Sequence, residues 1–480
     1  MWGHPKGLQT LFFTELWERL SYYGMRALLV LFLVDTARGG FGMSTETAGA
    51  IYGLYTASVY LAALPGGWIA DRILGQKQTV FVGGCVIAAG HFSMAIPTVP
   101  TFYLGLILIV IGTGLLKPNV SALVGDLYPE GGGRRDAGFS IYYMGINLGA
   151  FIGPLICGYL GQKIDWHLGF GTAGVGMVLG LIQYRLGWGR LPDRTALDQA
   201  RLSRRKEAVG RFWSAVTAGA LVLTLVAALH LSGVMTVRLA AAAKALGVGI
   251  LGLALVYFVV VLAFGKWTRE EKWRIVVILF LFIGSAVFWS GFEQAGSSMN
   301  LFAERLTDRR VFGWDMPASW LQSVNPLLII LMAPLFGVLW ERLGSRQPSI
   351  PVKFGMGLLL LAAGFVVLAW SASFAGEENK VSPMWLVATY FLHTSGELCL
   401  SPVGLSSITK LSPRPLVGQM MGIWFMGGAL GNLMAGLMGG KFDTLPLWQL
   451  FGAVALIAAV AGAAFLLVSP WVKKLCGSVK

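Results

Sequence analysis

The sequence predicts an all-α polytopic membrane protein, built as two six-helix bundles with two further helices inserted between them. Three observations lead there. Of the 480 residues 56% are hydrophobic and only 12% are charged, about half the ~25% charge of a soluble chain. Too little charge is left to coat the outside of a protein this long, so most of its surface must face something apolar. Apolar stretches of about 20 residues, enough to cross ~30 Å of hydrocarbon, recur from one end of the chain to the other. Finally, two short motifs recur in the same order in the first and last thirds.

The spans fall at roughly 8–36, 45–70, 78–97, 100–125, 138–161, 167–186, 212–232, 240–264, 275–300, 318–340, 353–373, 384–409, 416–440 and 447–470. Fourteen is an even number, so both termini lie on one side. Cation placement chooses that side. With the N-terminus cytoplasmic, 25 of the 37 Lys and Arg fall in cytoplasmic segments and nine opposite, the other three being Arg19, Arg26 and Lys117 within spans. The same asymmetry accounts for the net charge of +14 as basic loops beside anionic lipid, with no nucleic-acid partner. The N-terminal segment carries carboxylates and no small-residue cleavage site, and reads as the start of the first helix rather than a removable signal peptide.

The repeats set the domain plan. GGWIADRILGQK (Gly66–Lys77) follows the second span and GVLWERLGSR (Gly337–Arg346) the tenth, pairing Asp71–Arg72 with Glu341–Arg342. MGINLG (Met144–Gly149) returns as MGGALG (Met426–Gly431). The offset exceeds that of two bundles joined directly by the length of a basic linker and one helix pair. The expected units are therefore residues 1–190, an insert at 191–270 and residues 271–480. Repeats of this kind characterise transporters with a midplane site between two halves.

Seven charges sit at bilayer depth, where each is costly and marks a functional site by default: Glu15, Glu18, Arg19, Arg26, Lys117, Glu293 and Glu397. Positions 15, 18, 19, 22 and 26 step by three or four and share one helix face. Four carboxylates against three cations leave one negative charge, which a single proton neutralises if all seven share one cavity. That arithmetic suits proton-coupled transport. Arg26 can grip a carboxylate through its fork and Lys117 as a point charge, while Glu397 suits an ammonium group. Asn147 and Asn325 can address a peptide bond. Tyr22, Tyr23, Tyr60, Trp289 and Trp424 can wall side-chain pockets, although each aromatic alone reads first as packing. His393, four residues before Glu397, can tune it or simply pack.

Other classes find less support. Cys85, Cys157, Cys399 and Cys476 form no paired pattern, so no disulfide framework is expected. The five histidines make no HxxxH pair, and no phosphate-binding glycine loop or triad is present. No enzyme, cofactor or metal is expected, and no long soluble extension suggests a sensor.

Glu15-Leu-Trp-Glu18-Arg19-Leu-Ser-Tyr22-Tyr23-Gly24 resembles the ExxERFxYYG signature of the proton-coupled oligopeptide transporter (POT or PTR) family of the major facilitator superfamily. GTGLLKPNVSALVGDLY (Gly112–Tyr128), FSIYYMGINLGAFIGP (Phe139–Pro154), FEQ (Phe292–Gln294) and GELCLSP (Gly396–Pro402) extend the resemblance over nearly the whole chain. Leu20 stands where the signature has Phe, a packing position. The second span lacks the histidine of some members, so coupling rests on carboxylates.

The resemblance implies a monomeric inner-membrane symporter, termini cytoplasmic, importing di- and tripeptides with protons. Glu15, Glu18 and Arg19 would link proton movement to the conformational cycle, and Glu293 would accept a proton. Lys117 would pair with these carboxylates, or with the peptide carboxylate alongside Arg26. Glu397 would hold the peptide amino group. Tyr22, Tyr23, Tyr60, Asn147, Trp289 and Asn325 would line the pocket, and Gly67, Asp71 and Arg72 would belong to a cytoplasmic gating loop. The nearest alternative is the same machine for another zwitterion, a peptidomimetic drug or nitrate. Glu397 argues against nitrate, which needs no ammonium partner.

Overall fold

The computed structural model describes residues 3–192, 199–233, 236, 238–376 and 378–475. Part of the basic linker expected at 191–270, including Arg194, lies outside these residues, as do Cys476 and Lys480. Among the described residues there are fourteen long helices and one short one. They are α1 Lys6–Val34, α2 Thr45–Ile69, α3 Gln76–Met94, α4 Val99–Asp126, α5 Gly132–Tyr159, α6 Trp166–Leu186, α7 Gln199–Leu231 and α8 Leu239–Phe264. The second half adds α9 Arg269–Phe292, α10 Ser298–Arg305, α11 Val324–Leu343, α12 Ile350–Ala372, α13 Met384–Leu411, α14 Val417–Gly439 and α15 Leu447–Leu475.

Among the described residues ten helices are apolar and long enough to cross a membrane on composition alone; α1, α3, α6 and α13 are not among them. For α1 the reason is its charges, Glu15, Glu18, Arg19 and Arg26, which burial makes tolerable. Packed lengthwise against α5 and α6, it is shielded over most of its surface, and its charges meet protein rather than lipid.

Local chemistry sets the boundaries. Ser44 and Thr98 cap α2 and α4 by accepting the N–H three residues on, and Asp165 caps α6 through two amides. Thr268 and Glu271 form a reciprocal capping box at the start of α9. The ninth span, read as continuous over 275–300, is in fact broken. Helix α9 stops at Phe292, Glu293–Gly296 forms a tight 3₁₀ turn, and the chain resumes as α10. Tyr52 of α2 is wedged there: its hydroxyl donates to the Glu293 carbonyl at 3.0 Å, and a Cβ on Gly296 would lie 2.3 Å from the Tyr52 hydroxyl oxygen. Between α10 and α11 a small hairpin pairs Arg310 with Asp315 and Val311 with Trp314. Its two-residue turn, Phe312-Gly313, has positive φ at both positions, the geometry that matches strand twist.

Two seams join the halves, α2 against α14 and α5 against α11 and the turn before it. At the first the backbones touch: a Cβ on Gly49 would lie 2.4 Å from the Gly436 carbonyl oxygen. On the side opposite the N-terminus a set of hydrogen bonds closes the second and ties α10 to α1. Ser323 Oγ donates to the Phe151 carbonyl (2.8 Å), Trp320 Nε1 to that of Leu155 (2.9 Å), and Asn300 Nδ2 to that of Ala27 (2.8 Å). Gln162 accepts the Ser319 amide at 3.0 Å and donates to Glu304, also at 3.0 Å. Of the inserted pair, α8 lies across the α2–α14 seam, touching both helices through a buried stripe of Ala243, Ile250, Ala254 and Phe258.

Candidate functional site

The first helix delivers its charged face as the spacing predicts: Glu15, Glu18, Arg19, Tyr22 and Arg26 are all buried. Arg19 pairs with both carboxylates, 3.1 Å from Glu15 Oε1 and in closer contact with Glu18 Oε2. Tyr142 of α5 donates its hydroxyl to Glu15 Oε2 at 2.8 Å. The Arg19 guanidinium also lies over the Tyr22 ring, 5.3 Å from its centroid, and Tyr22 stacks on Tyr55.

Two turns further along α1, Arg26 Nη1 contacts Glu293 Oε2 at 2.6 Å and its guanidinium covers the Tyr23 ring at 4.8 Å. This ion pair crosses from the first half to the break in α9. The break aims the Glu293 side chain at α1, while Tyr52 satisfies the carbonyl that the helix leaves free.

The structure does not bring Lys117 into an ion pair. Its ammonium lies over the Tyr60 ring, 4.2 Å from the centroid, and no carboxylate is within 4 Å of it among the described contacts. The pairing expected of Lys117 is thus absent in this conformation: Arg19 holds Glu15 and Glu18, and Arg26 holds Glu293. In the second half, Asn325 Nδ2 donates to Thr394 Oγ1 (2.9 Å) and Glu397 Oε2 (3.1 Å). Asn147 turns its amide N–H back to the Tyr143 carbonyl at 2.9 Å. Trp289 packs edge-on against Phe288 and Phe292, and Trp424 against Phe354. His393 is buried against Phe365 and makes no described contact with Glu397.

At the end of α2 the backbone runs into a π turn, Ala70–Leu74. Asp71 and Arg72 project there exposed, and Gly67 has open space around its Cα. Sequence reasoning passed over Tyr52, Tyr55 and Tyr142. Tyr52 lies two turns before Tyr60, a spacing that puts both on one side of α2. Tyr142 lies inside the quoted FSIYYMGINLG stretch, so both carried a readable signal. Among the described residues no group of acidic, histidine and cysteine side chains could hold a metal.

Two helical bundles meeting along sealed seams, with the Arg26–Glu293 ion pair buried between them, define a polytopic membrane transport protein of the major facilitator fold. The POT family model matches residues 77–447, and the chain belongs to that family. It is 43% identical over 476 residues to the uncharacterised transporter YclF of Bacillus subtilis, covering 98% of this chain and 95% of that one. To the peptide transporter YePEPT of Yersinia enterocolitica it is 41% identical over 498 residues, covering 100% and 96%. A crystal structure of a POT peptide transporter in complex with sulfate superposes with a TM-score of 0.92 at 41% identity, covering 99% and 96%. One of a POT family transporter with 5-aminolevulinic acid gives 0.89 at 33%, covering 98% of each chain.

Proposed function

We propose that this protein is a proton-coupled symporter that imports di- and tripeptides across the inner membrane by alternating access, with both termini cytoplasmic and the monomer as the working unit. The relatives' names support the substrate class: besides YePEPT, a 36% identical relative from Lactococcus lactis subsp. cremoris, covering 100% of this chain and 98% of that one, is called a di-/tripeptide transporter. The observation that carries the mechanism is the Arg26–Glu293 pair at 2.6 Å. A proton on Glu293 discharges its carboxylate, weakens its hold on Arg26 and frees the guanidinium fork for a peptide carboxylate.

Glu397 and Asn325 face the peptide's amino end, with Tyr22, Tyr23, Tyr60, Asn147 and Trp289 around the backbone and side chains. Lys117, lying over Tyr60 and in no ion pair among the described residues, is available to the carboxyl terminus or to Glu15 and Glu18 once Arg19 shifts. Bonds closing the halves opposite the N-terminus fit a cytoplasm-facing state, in which Gly67, Asp71 and Arg72 lie on the opened side as a gating loop.

In reconstituted vesicles Glu293→Gln abolishes concentrative, proton-driven uptake of a labelled dipeptide while counterflow exchange survives. Unchanged concentrative uptake removes Glu293 from the coupling role.

A further inference from the structure

The amide of Asn325 is held from two sides by one helix. Thr394 and Glu397 stand three residues apart on α13, hence on one face, and Asn325 lies at the start of α11 opposite them. Its Nδ2 carries two hydrogens, and the structure uses both: one to Thr394 Oγ1 at 2.9 Å, the other to Glu397 Oε2 at 3.1 Å. Thr394 is fully buried, whereas Asn325 and Glu397 are half-buried. With Nδ2 turned into α13, the amide must turn Oδ1 away from it. Neither Asn325 Oδ1 nor Glu397 Oε1 has a described partner, and neither is a buried orphan. Each of the two bonded side chains therefore keeps one acceptor open.

A primary ammonium has three donors and no acceptor, so this pair complements it. Were the amide reversed, Nδ2 would meet the ammonium donor to donor. We propose that Thr394 is a positioning residue for substrate selection: its hydroxyl holds the Asn325 side chain beside Glu397, whose carboxylate takes the other N–H and leaves Oδ1 free to join it in reading a free amino terminus. The inference rests on the reading of Glu397 as the ammonium partner. A hydroxyl both donates and accepts, so Thr394 fixes where the amide lies, while the carboxylate of Glu397, which only accepts, fixes which way it faces.

The test uses proteoliposomes and labelled alanyl-alanine, with propionyl-alanine, which lacks the amine, as competitor. Thr394→Val, nearly the same in shape, raises KM for alanyl-alanine about three- to tenfold, the worth of one hydrogen bond. It leaves Vmax within about twofold and shifts the inhibition constant of propionyl-alanine by less than about twofold. Thr394→Ser restores the parent KM, which a general packing defect would not allow. The proposal is overturned if Thr394→Val leaves KM unchanged, if it weakens both ligands equally, or if Thr394→Ser behaves like Thr394→Val. Glu397→Gln separates the two layers. If it keeps the preference for the free amine, the reading of Glu397 fails; if it loses that preference while Thr394→Val does not, only the role of Thr394 fails.

Discussion

Arg26 and Glu293 lie 267 positions apart in the chain and meet at 2.6 Å, both almost wholly buried. One arises from the middle of an unbroken helix, the other from the first residue after a helix has stopped. Their meeting fastens the two halves at a point that has to part whenever the halves rock.

Removing one partner is expected to cost far more than removing both. Arg26→Met leaves Glu293 buried without its cation and destabilises the protein by about 3–5 kcal/mol, whereas adding Glu293→Gln to it recovers most of that loss. A double-mutant cycle by equilibrium unfolding in mixed micelles measures the difference. Equal loss in the single and double variants rules out the pairing as the source.

The break in α9 depends on Tyr52. Tyr52→Phe keeps the ring and removes the hydroxyl that serves the Glu293 carbonyl, stranding a buried acceptor at a cost of about 1–3 kcal/mol. Thermal unfolding in detergent shows a lower midpoint. An unchanged midpoint means the carbonyl has another partner.

Gly49 admits no side chain while the α2–α14 seam is shut, because its Cβ would meet the backbone of Gly436 and Gly440. Gly49→Val is expected to prise that seam open. In a chain otherwise free of cysteine, Leu433→Cys, buried against Gly53 across the same seam in the parent, then reacts several-fold faster with a membrane-impermeant maleimide. Identical labelling rates contradict the tight approach.

Asp35, just past the end of α1, supplies a pH-dependent contribution. Partial burial pushes its carboxyl up. The Trp166 indole N–H, the backbone amides of Arg38 and Gly40, and the Arg38 guanidinium outweigh this and hold it below the ordinary carboxylate range. A depressed folded-state value gives stability that is complete above the unfolded value of ~3.9 and disappears as pH falls through the folded one. Asp35→Asn therefore lowers the unfolding midpoint at neutral pH, and its gap from the parent narrows as the pH drops below about 4. A gap independent of pH assigns the loss to packing instead.

Much of the architecture was legible because the bilayer imposes a length and a polarity on every spanning segment. The reading of α1 shows the reach of that logic: residues 15, 18, 19, 22 and 26 had to share a face, and all five are buried. Lys117 shows where it stops. Its depth was evident from the fourth span, but whether it would meet a carboxylate or the Tyr60 ring depends on which cation reaches Glu15 and Glu18 first. Arg19 does, from the same helix. The 275–300 segment fails for a different reason. FEQAGSSMN has no proline to announce a break, and the hydroxyl that serves the freed carbonyl, on Tyr52 of α2, comes from far away in the chain.

By itself, the sequence determined that helices cross a membrane, roughly where they begin and end, and which ionisable groups lie too deep to be decorative. Periodicity and composition act locally, so they can be read along a string. Only the tertiary structure decided the partners: Arg26 with Glu293, Tyr52 with a carbonyl, Asn325 with both Thr394 and Glu397. A hydrogen bond or ion pair depends on ångström-scale separation and direction between groups on different helices, and that geometry exists only once the bundles have packed.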